Sequence, residues 1–310
     1  MTYTARACPC CDSTKYDAYP AIVSSFLSSY VFGSRPSPTR LLECDACGFR
    51  FFEDRLTDAE ADRLYAGYRG DRYFRERNRH EPWYTRKVND ALGGSEEVTH
   101  ARREFVDRFI RRNADVSKLD AILDFGGDRG QMIPEGIGKE RFVYEISGTH
   151  PVNGVTRIGS TSDLAERRFD LVLLCHVLEH CSEPKAVLDQ VRPLMRASDS
   201  VLYVELPFER MALRWLGKSD AYRTYLSTLG RVPPLLVAVD LYSTLFRTKY
   251  ETMPPLGFVK MHEHINFFDE RSLRRLLERC GFETIALERL VVRSTLGETP
   301  VLSALARPAS

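Results

Sequence analysis

The residues best suited to bind a charged ligand follow an apolar segment in the middle of the chain. This segment, 121–123, leads into Asp124, and the turn after it is rich in glycine, at Gly126, Gly127 and Gly130. Such a turn lets the backbone at the end of a buried parallel strand approach a ligand closely. Glu145 ends a second apolar segment 21 residues after Asp124, and in doubly wound folds an acid at about that distance hydrogen-bonds a ribose. The spacing predicts a nucleoside-containing cofactor at the carboxyl ends of two neighbouring strands; an ordinary glycine-rich turn is the alternative.

The charge of this turn indicates which cofactor it binds. A dinucleotide-binding turn avoids acids, because a pyrophosphate sits at the helix N-terminus. Here Asp124 and Asp128 add two carboxylates, which would repel a pyrophosphate but attract the sulfonium and ammonium groups of S-adenosylmethionine. The turn resembles motif I of class I S-adenosylmethionine-dependent methyltransferases, (D/E)-x-G-x-G-x-G, with Asp128 in place of the middle glycine. The resemblance implies that the cofactor is bound by Asp124, Gly126, Gly127, Gly130 and Glu145.

Four cysteines near the N-terminus have the spacing of zinc ligands. They form the Cys-x2-Cys pairs Cys8–Cys11 and Cys44–Cys47, and each pair places two thiolates on a tight turn within reach of one tetrahedral Zn²⁺. In a cytosolic protein such pairs indicate a metal rather than disulfides. Four thiolates leave no open coordination position, so the predicted zinc is structural. Cys10 could replace Cys8 or Cys11, and reduced structural thiols are the alternative.

The composition limits the classes of function. The 310 residues can bury a sizeable core. The net charge of +1 argues against a protein whose whole surface is adapted to nucleic acid or to an anionic membrane. No apolar segment reaches the length of about 20 residues that a membrane span needs; the nearest, 235–246, is interrupted by Asp240 and Ser243. Because no signal peptide is visible, we predict a soluble cytoplasmic protein.

Residues 57–117 are predicted to be helical. Thr57 and Glu60 have the spacing of a capping box, and Ser95 can cap a later helix with an apolar stripe. Between these helices, arginine and aromatic residues are interleaved over 68–87. Such a segment can hold nucleic acid by stacking and phosphate contacts, but more often it forms an amphipathic cap with solvated arginines.

A strongly apolar segment, 169–174, predicts a central strand and leads into His176-Val177-Leu178-Glu179-His180. The pattern H-x-x-E-H also occurs in zinc proteases, where it lies within a long helix and binds the metal. Here it follows a buried strand beside a glycine-rich turn, which argues against a protease. The strand and motif together are similar to motif IV of methyltransferases, and this similarity implies that His176 lies at the cofactor.

The other predicted elements continue an alternation of strands and helices, with one interruption at 208–260. Because this insertion follows a strand, it lies at the carboxyl edge of the sheet, where ligands bind. We therefore predict that it forms a substrate lid. The predicted helices lie at 21–32, 182–192, 208–216, 235–246 and 269–281, and the remaining predicted strands at 155–158, 201–207, 284–290 and 300–306.

Together, the motifs occur in the order typical of bacterial class I methyltransferases. The chain is similar to the subgroup with N-terminal zinc-binding cysteine pairs, which often serves sugar, polysaccharide or natural-product biosynthesis. The resemblance implies an α/β fold, with a doubly wound Rossmann-like methyltransferase sheet, a small N-terminal zinc-ribbon-like module and a helical cap or insertion. The implied domains are the zinc module at 1–56, a helical segment at 57–117 and the methyltransferase domain at 118–310.

The implied reaction is methyl transfer from S-adenosylmethionine to a small-molecule acceptor, expected to be a sugar, nucleotide sugar, polysaccharide or natural-product precursor. A hydroxyl or acidic-carbon acceptor requires a general base. His264 and His262 are the candidates, because they follow the insertion; two structural histidines at a helix entry are the alternative. Two other functions stay open. One is an RNA methyltransferase that uses the zinc module and residues 68–87, and the other is a non-catalytic binding protein, because Asp128 departs from motif I.

Overall fold

The structure, a computed structural model, describes residues 3–92, 95–145, 149–209, 211–213, 220–294 and 297–309. The chain divides into two compact units. Unit 1 consists of residues 1–89 and 209–267, and unit 2 of residues 90–208 and 268–310. Unit 1 therefore combines the predicted cysteine module with much of the predicted helical segment and with the predicted insertion.

The described residues form fourteen strands and ten α-helices. The strands are β1 Tyr3–Thr4, β2 Tyr16–Val23, β3 Pro38–Cys44, β4 Arg50–Phe52, β5 Asp54–Arg55, β6 Ala121–Phe125, β7 Glu140–Tyr144, β8 Thr156–Ile158, β9 Leu171–Cys175, β10 Val201–Pro207, β11 Val259–Met261, β12 Asn266–Phe267, β13 Phe282–Ser294 and β14 Gly297–Pro308. The α-helices are α1 Ser25–Tyr30, α2 Asp58–Tyr65, α3 Asp71–His80, α4 Arg86–Leu92, α5 Glu96–Asn113, α6 Thr161–Ala165, α7 Pro184–Val191, α8 Asp220–Arg231, α9 Pro233–Tyr250 and α10 Glu270–Arg279.

Unit 2 is built on a seven-stranded sheet with β6 near its middle. The strand order is β13-β14-β10-β9-β6-β7-β8. The five neighbouring strands β10, β9, β6, β7 and β8 are parallel to one another. Strand β14 runs antiparallel to both β10 and β13. All residues of β6 and β9 are buried, as expected for parallel strands covered on both faces. The predicted Rossmann-like α/β fold is confirmed, and the parallel strands bring their carboxyl ends to one edge of the sheet.

Ser95 and Asp269 cap two helices of unit 2, and a proline begins a third. The Ser95 hydroxyl accepts a hydrogen bond from the first turn of α5 at 3.3 Å. Asp269 caps α10, and this helix ends before Gly281, whose φ is +73°. Helix α7 begins at Pro184, later than the predicted start at residue 182. Proline presets the helical φ at a first position that needs no hydrogen-bond donor, so the helix starts later than expected.

Unit 1 contains a five-stranded sheet whose strands come from two distant parts of the chain. Its order is β11-β2-β3-β4-β12. β2, β3 and β4 form an antiparallel meander, β11 pairs in parallel with β2, and β12 pairs in antiparallel fashion with β4. The segment after β10 therefore contributes strands as well as helices. These two strands are not predicted from the sequence, because elements of two or three residues show no periodicity.

The predicted helix at 21–32 is wrong in its first part. Residues up to Val23 belong to β2, and α1 is confined to Ser25–Tyr30. The boundary is Ser24, whose hydroxyl accepts a hydrogen bond from the Leu27 amide at 3.1 Å. The buried β-branched residues before it pair with β3 and β11, which suits their strand preference.

Two helices, α8 and α9, occupy much of the segment after β10. The predicted helix at 235–246 is confirmed as part of α9. The predicted helix at 208–216 lies partly outside the described residues, and its described part contains a bridge between Ala212 and Thr252 instead of a helix. Within the described ranges, no single helix is long and apolar enough to cross a membrane. Residues 221–231 and α9, bent by 119°, meet the length and composition requirement only as a pair.

Candidate functional site

The first part of the candidate site is the turn after β6 in unit 2. Gly126 and Gly130 have φ values of +70° and +74°, in the left-handed region that favours glycine. Gly127 is required for another reason, because a Cβ at this position would lie 2.0 Å from Cγ of Asp124. Asp128, in place of the motif's middle glycine, has a φ of +54°, which aspartate adopts more readily than most residues. The turn therefore folds tightly over the end of β6.

Asp124 lies at this end of β6 with its carboxylate fully buried. Neither carboxylate oxygen forms a hydrogen bond of normal length with a described residue, and the Met132 amide stabilises the anion only weakly. Burial, followed by the negative charge of Glu145, raises the pKa of Asp124 to about 7. A buried carboxylate without a partner is unfavourable. The site therefore favours a ligand that brings a positive charge or hydrogen-bond donors.

Glu145 follows β7, which pairs with β6. Its Oε2 accepts a hydrogen bond from the Asp128 amide at 3.1 Å. In the same region, the Gly126 amide donates to the Tyr144 carbonyl at 2.8 Å. These two bonds connect the glycine-rich turn to the end of β7. The structure therefore brings together the buried acid, the turn and Glu145.

His176 follows β9, the neighbour of β6 on the other side. Its φ is +58°, and its ring lies between two buried carboxylates. Nε2 is 3.1 Å from Oε1 of Glu205, and Nδ1 is 3.2 Å from Oε1 of Glu179. The His176 amide also donates to the Glu205 carbonyl at 2.9 Å. Contacts at both ring nitrogens and at the backbone thus fix the position of this side chain.

Glu205 is a fully buried acid in β10 to which the sequence patterns assign no role. Arg102 of α5 lies 2.8 Å from Oε1, and the Tyr203 hydroxyl donates to Oε2 at 2.9 Å. Burial acts to raise the pKa of Glu205, but the charge of Arg102 and the hydrogen bond to His176 outweigh it and lower the pKa to about 2. The sequence does contain one signal for this role, because Glu205 is the lone acid in the apolar segment 201–207. Acids are almost never fully buried unless they are paired.

Residues 176–180, which carry the H-x-x-E-H pattern, do not form a helix. His180 Nε2 lies 3.9 Å from the same Glu179 oxygen that His176 contacts. The protease motif requires a helix that presents two histidines to one metal. This segment lacks that helix, so the geometry argues against the protease interpretation.

The predicted metal ligands come together in unit 1. The sulfur atoms of the cluster all lie within 4.8 Å of one another, in the set Cys8, Cys11, Cys44 and Cys47. The Cys8–Cys47 sulfur distance is 3.7 Å and the Cys11–Cys44 distance is 3.5 Å. Tight turns hold both pairs, because the Cys11 amide donates to the Cys8 carbonyl and the Gly48 amide donates to the Cys44 carbonyl. The donor set and its spacing fit one tetrahedral Zn²⁺.

Cys10 is buried beside this cluster. Its thiol hydrogen-bonds with Cys47, and the hydrogen bonds from Cys10 and Cys8 lower the pKa of the Cys47 thiol. A cysteine must be deprotonated to bind a metal. The same contacts raise the pKa values of the Cys8 and Cys10 thiols. Cys10 is a fifth sulfur next to the predicted four.

The two candidate bases lie in different surroundings within unit 1. His262 is stacked on Phe26 with ring centroids 5.4 Å apart, and its Nε2 is 3.3 Å from Glu81 Oε1. Burial lowers the pKa of His262 to about 4 in spite of Glu81. The His264 side chain is 34% exposed, and its Nδ1 lies 3.0 Å from Glu209 Oε1. His264 is therefore the more accessible of the two.

Glu209 can orient His264. Its other oxygen, Oε2, binds Arg247 at 2.5 Å. Burial acts to raise the pKa of Glu209, but the His264 hydrogen bond and the Arg247 charge outweigh it and lower the pKa to about 2. A carboxylate that stays ionised beside one ring nitrogen fixes the orientation and tautomer of a histidine.

Several arginine and aromatic residues of 68–87 contact one another inside unit 1. Tyr73 is fully buried. Arg77 lies 3.9 Å from the ring centroid of Tyr84 and binds Glu263 at 3.4 Å. Because these side chains are engaged within the unit, the contacts favour an amphipathic cap over a nucleic-acid surface.

Residues 98–287 match a family described as a methyltransferase domain, and they make up more than half of the chain. No curated protein sequence matches the chain. Among solved structures, the chain is similar to 1,6-didemethyltoxoflavin-N1-methyltransferase from Burkholderia thailandensis, solved with 1,6-didemethyltoxoflavin and S-adenosylhomocysteine. The sequence identity is 13% over 88% of this chain and 96% of that chain, and the TM-score is 0.43. It is also similar to the N-methyltransferase NodS from Bradyrhizobium japonicum, at 11% identity over 70% of this chain and 99% of that chain, with a TM-score of 0.39.

Proposed function

We propose that this chain binds its cofactor at the end of β6 and methylates a small molecule. The premise is that the chain belongs to the methyltransferase-domain family and is a class I S-adenosylmethionine-dependent methyltransferase. The observation that carries this placement is the buried Asp124 carboxylate, whose oxygens form no hydrogen bond of normal length in the described part of the chain. The bound cofactor supplies an electrophilic methyl group on its sulfonium. The residues of unit 2 contribute positioning and the exclusion of water.

In this proposal the glycine-rich turn and Asp124 bind the charged end of the cofactor. Gly126, Gly127 and Gly130 keep side chains out of the turn, and Gly127 in particular leaves the space over the Asp124 carboxylate clear. A positive charge near this carboxylate stabilises its ionised form. We therefore expect Asp124 to become an anion when the cofactor binds.

We propose that Glu145 accepts hydrogen bonds from the ribose hydroxyls of the cofactor. Its position supports this role, because it follows the strand next to β6 and already contacts the turn through the Asp128 amide. A carboxylate is a strong hydrogen-bond acceptor for hydroxyl donors such as those of a ribose.

We propose that His176 forms part of the cofactor site and that Glu205 and Arg102 position it. The support is the pair of ring contacts to Glu205 and Glu179, together with the buried ion pair between Arg102 and Glu205. Removing one partner of a buried ion pair leaves an uncompensated charge. Arg102 therefore acts on the site through Glu205.

For the acceptor we propose a sugar, nucleotide sugar, polysaccharide or natural-product precursor, the class that the resemblance implies. Such acceptors present hydroxyls, and a hydroxyl must lose its proton during transfer. We assign the base role to His264 rather than to His262, because the His264 side chain is more exposed and is oriented by Glu209. The proton would move from the acceptor hydroxyl to the His264 ring.

We also propose that unit 1 binds one structural Zn²⁺ through Cys8, Cys11, Cys44 and Cys47. The support is the convergence of four sulfurs on two tight turns. Four thiolates saturate a tetrahedral zinc, so the metal would stabilise unit 1 and take no part in methyl transfer.

Calorimetric titration of S-adenosylmethionine and S-adenosylhomocysteine into the full chain tests the cofactor site. We expect binding by the wild type, much weaker binding by Glu145→Ala, and unchanged binding by Glu140→Ala. Glu140 is a matched control, because it is an exposed glutamate at the opposite end of the same strand. A folded Glu145→Ala protein that binds as the wild type does would refute the placement. A subsequent screen for methylated products, with nucleotide sugars and RNA as acceptors, tests the proposed acceptor class separately.

A further inference from the structure

Helix α9 of unit 1 exposes apolar side chains to solvent. The exposed large residues on it are Leu235, Leu241, Tyr242, Leu245 and Tyr250. Leu245 is the most exposed of them, at 61%. A surface helix normally does the reverse, with its apolar stripe against the core and its polar residues in water. A contiguous apolar surface of this kind marks an interaction site.

The polar residues in the middle of α9 are used for contacts inside unit 1. Asp240 binds Lys260 at 2.8 Å. Ser243 is buried, and its hydroxyl accepts a hydrogen bond from the Phe258 amide at 3.1 Å. These contacts fix the rotation of the helix about its axis. The outward position of the leucines is therefore a consequence of specific inward bonds.

Two further features extend the apolar surface. Tyr242, Phe246 and Tyr250 follow one another at intervals of four residues, with ring centroids 6.1 and 4.7 Å apart. In the turn after α9, Leu256 is 64% exposed and has a φ of +59°, which leucine rarely adopts. The Tyr225 hydroxyl of α8 donates to the Leu256 carbonyl at 2.9 Å. The chain thus keeps a large apolar residue in an unfavourable, exposed conformation, which is a feature typical of functional surfaces.

The charge of the α8–α9 pair is positive, although the net charge of the whole chain is only +1. Helices α8 and α9 together contain four basic residues, Arg223, Arg231, Arg247 and Lys249, and two acids, Asp220 and Asp240. Asp240 is bound to Lys260 and Arg247 to Glu209. Arg231 and Lys249 are exposed near the two ends of α9. The exposed charge is therefore complementary to an anionic partner.

We propose that α9, together with the turn at Leu256, docks on the surface of an anionic lipid bilayer. The helix would lie in the plane of the interface with its leucines among the acyl chains, and at about 1.5 Å per residue it would span roughly 27 Å. Tyr242 and Tyr250 have the amphipathic rings that accumulate at headgroup level. Arg231 and Lys249 can extend to the anionic headgroups while their apolar stems stay with the leucines.

The same charges argue against a second copy of this chain as the occupant. In a two-fold symmetric contact the same surface meets itself. Whether two α9 helices then ran parallel or antiparallel, the exposed basic residues at their ends, Arg231 and Lys249, would approach one another. A bilayer with negative headgroups has no such repulsion.

Sedimentation of the full chain with lipid vesicles tests the proposal. One set of vesicles contains phosphatidylcholine and phosphatidylserine, and the other phosphatidylcholine only. We expect the wild type to bind the mixed vesicles more strongly. The variant Leu241→Glu/Leu245→Glu places two negative charges on the apolar surface and should lose binding. Its matched control is Ile285→Glu/Val291→Glu, at two exposed apolar positions of β13, which should bind as the wild type does.

The charge contribution has its own variant. Arg231→Gln/Lys249→Gln should weaken binding to the mixed vesicles by roughly 20- to 30-fold, at about fivefold for each charge removed. Binding to phosphatidylcholine alone should change little. Circular dichroism melts check that each variant is folded. Hydrogen exchange of the wild type needs no variant, and the α9 amides should exchange more slowly when the mixed vesicles are present.

Three results would overturn the proposal. One is a wild type that sediments with neither kind of vesicle. Another is an equal loss of binding in the α9 variant and in the β13 control. The third is a wild-type dimer, seen by sedimentation velocity, that Leu241→Glu/Leu245→Glu dissociates while vesicles have no effect; this result would assign the surface to a second copy of the chain.

Discussion

The pH dependence of cofactor binding should follow the ionisation of Asp124. Burial, and then the charge of Glu145, raises the pKa of this carboxyl to about 7 in the cofactor-free protein. A cationic ligand binds the ionised form, so its affinity falls as the pH drops below that pKa. At a pKa of about 7 the ionised fraction is roughly nine-tenths near pH 8 and one-tenth near pH 6. We therefore expect S-adenosylhomocysteine, which carries the ammonium group, to bind about tenfold more weakly near pH 6 than near pH 8.

Isothermal titration calorimetry across this pH range provides the assay. Asp124→Asn should bind weakly and lose the pH dependence, because the titrating group is gone. Glu145→Gln removes the second cause of the raised pKa, so the midpoint of the pH dependence should move to lower pH. Asp199→Asn is the control, because Asp199 is an exposed acid of the same unit, and it should retain the wild-type profile.

Two outcomes would refute this reasoning. The first is wild-type affinity that stays constant between about pH 6 and pH 8, which would mean that no group with this pKa controls binding. The second is an Asp124→Asn protein that binds as tightly as the wild type. Either result would remove the cofactor from the end of β6.

Four other perturbations have defined outcomes. The pKa of Asp124 rises on folding from 3.8 to about 7. Its ionisation therefore opposes folding progressively above about pH 3.8 and fully above about pH 7. Asp124→Asn should stabilise the cofactor-free protein in urea unfolding, by about 2 kcal/mol more near pH 8 than near pH 5.5. Glu145→Ala should weaken S-adenosylmethionine binding by roughly 30- to 1000-fold in calorimetry, because up to two charge-assisted hydrogen bonds are lost and water partly replaces them; an effect no larger than that of Glu140→Ala would contradict this. Cys44→Ser should release zinc, measured by metal analysis, and make unit 1 sensitive to protease while cofactor binding survives, since structural zinc contributes roughly 10–16 kcal/mol; wild-type protein without zinc would contradict it. His264→Gln should lower the rate of methyl transfer to a hydroxyl acceptor by roughly 10²- to 10⁴-fold without changing cofactor affinity, and a rate equal to that of the wild type would exclude His264 as the base.

The elements that the sequence predicts well are those set by neighbouring residues. The apolar segments at 121–123 and 169–174 become buried strands, and Ser95 and Asp269 cap the helices that follow them. The glycine-rich turn can be predicted for the same reason, because each glycine is required by a positive φ or by a close contact within the turn. Short-range physics is sufficient for these features.

The features that the sequence does not predict depend on contacts between distant residues. Arg102 and Glu205 are 103 residues apart, and only the packing of α5 on the sheet reveals their ion pair. The β2–β11 ladder joins Ala21 to Val259. Without that ladder, the apolar residues at 21–23 have the spacing of a helix. A one-dimensional pattern cannot choose between the two until the partner strand is known.

Asp124 and Glu205 show how one sheet distinguishes two buried carboxylates. Both are fully buried, on strands that flank β9. Glu205 has Arg102, Tyr203 and His176 as partners, and its pKa falls to about 2. Asp124 has no comparable hydrogen bond in the described structure, and the charge of Arg102 does not outweigh its burial, so its pKa rises to about 7.

A purely structural acid at the position of Asp124 would destabilise the fold at neutral pH without any compensation. Glu205, in contrast, stays ionised because the protein itself supplies its partners. Titratable groups whose environments push their pKa values apart commonly have different roles in a site. The acid with internal partners is part of the scaffold that holds His176. The acid without them is the one that a cationic ligand completes, and this difference is the physical reason for placing the cofactor at Asp124.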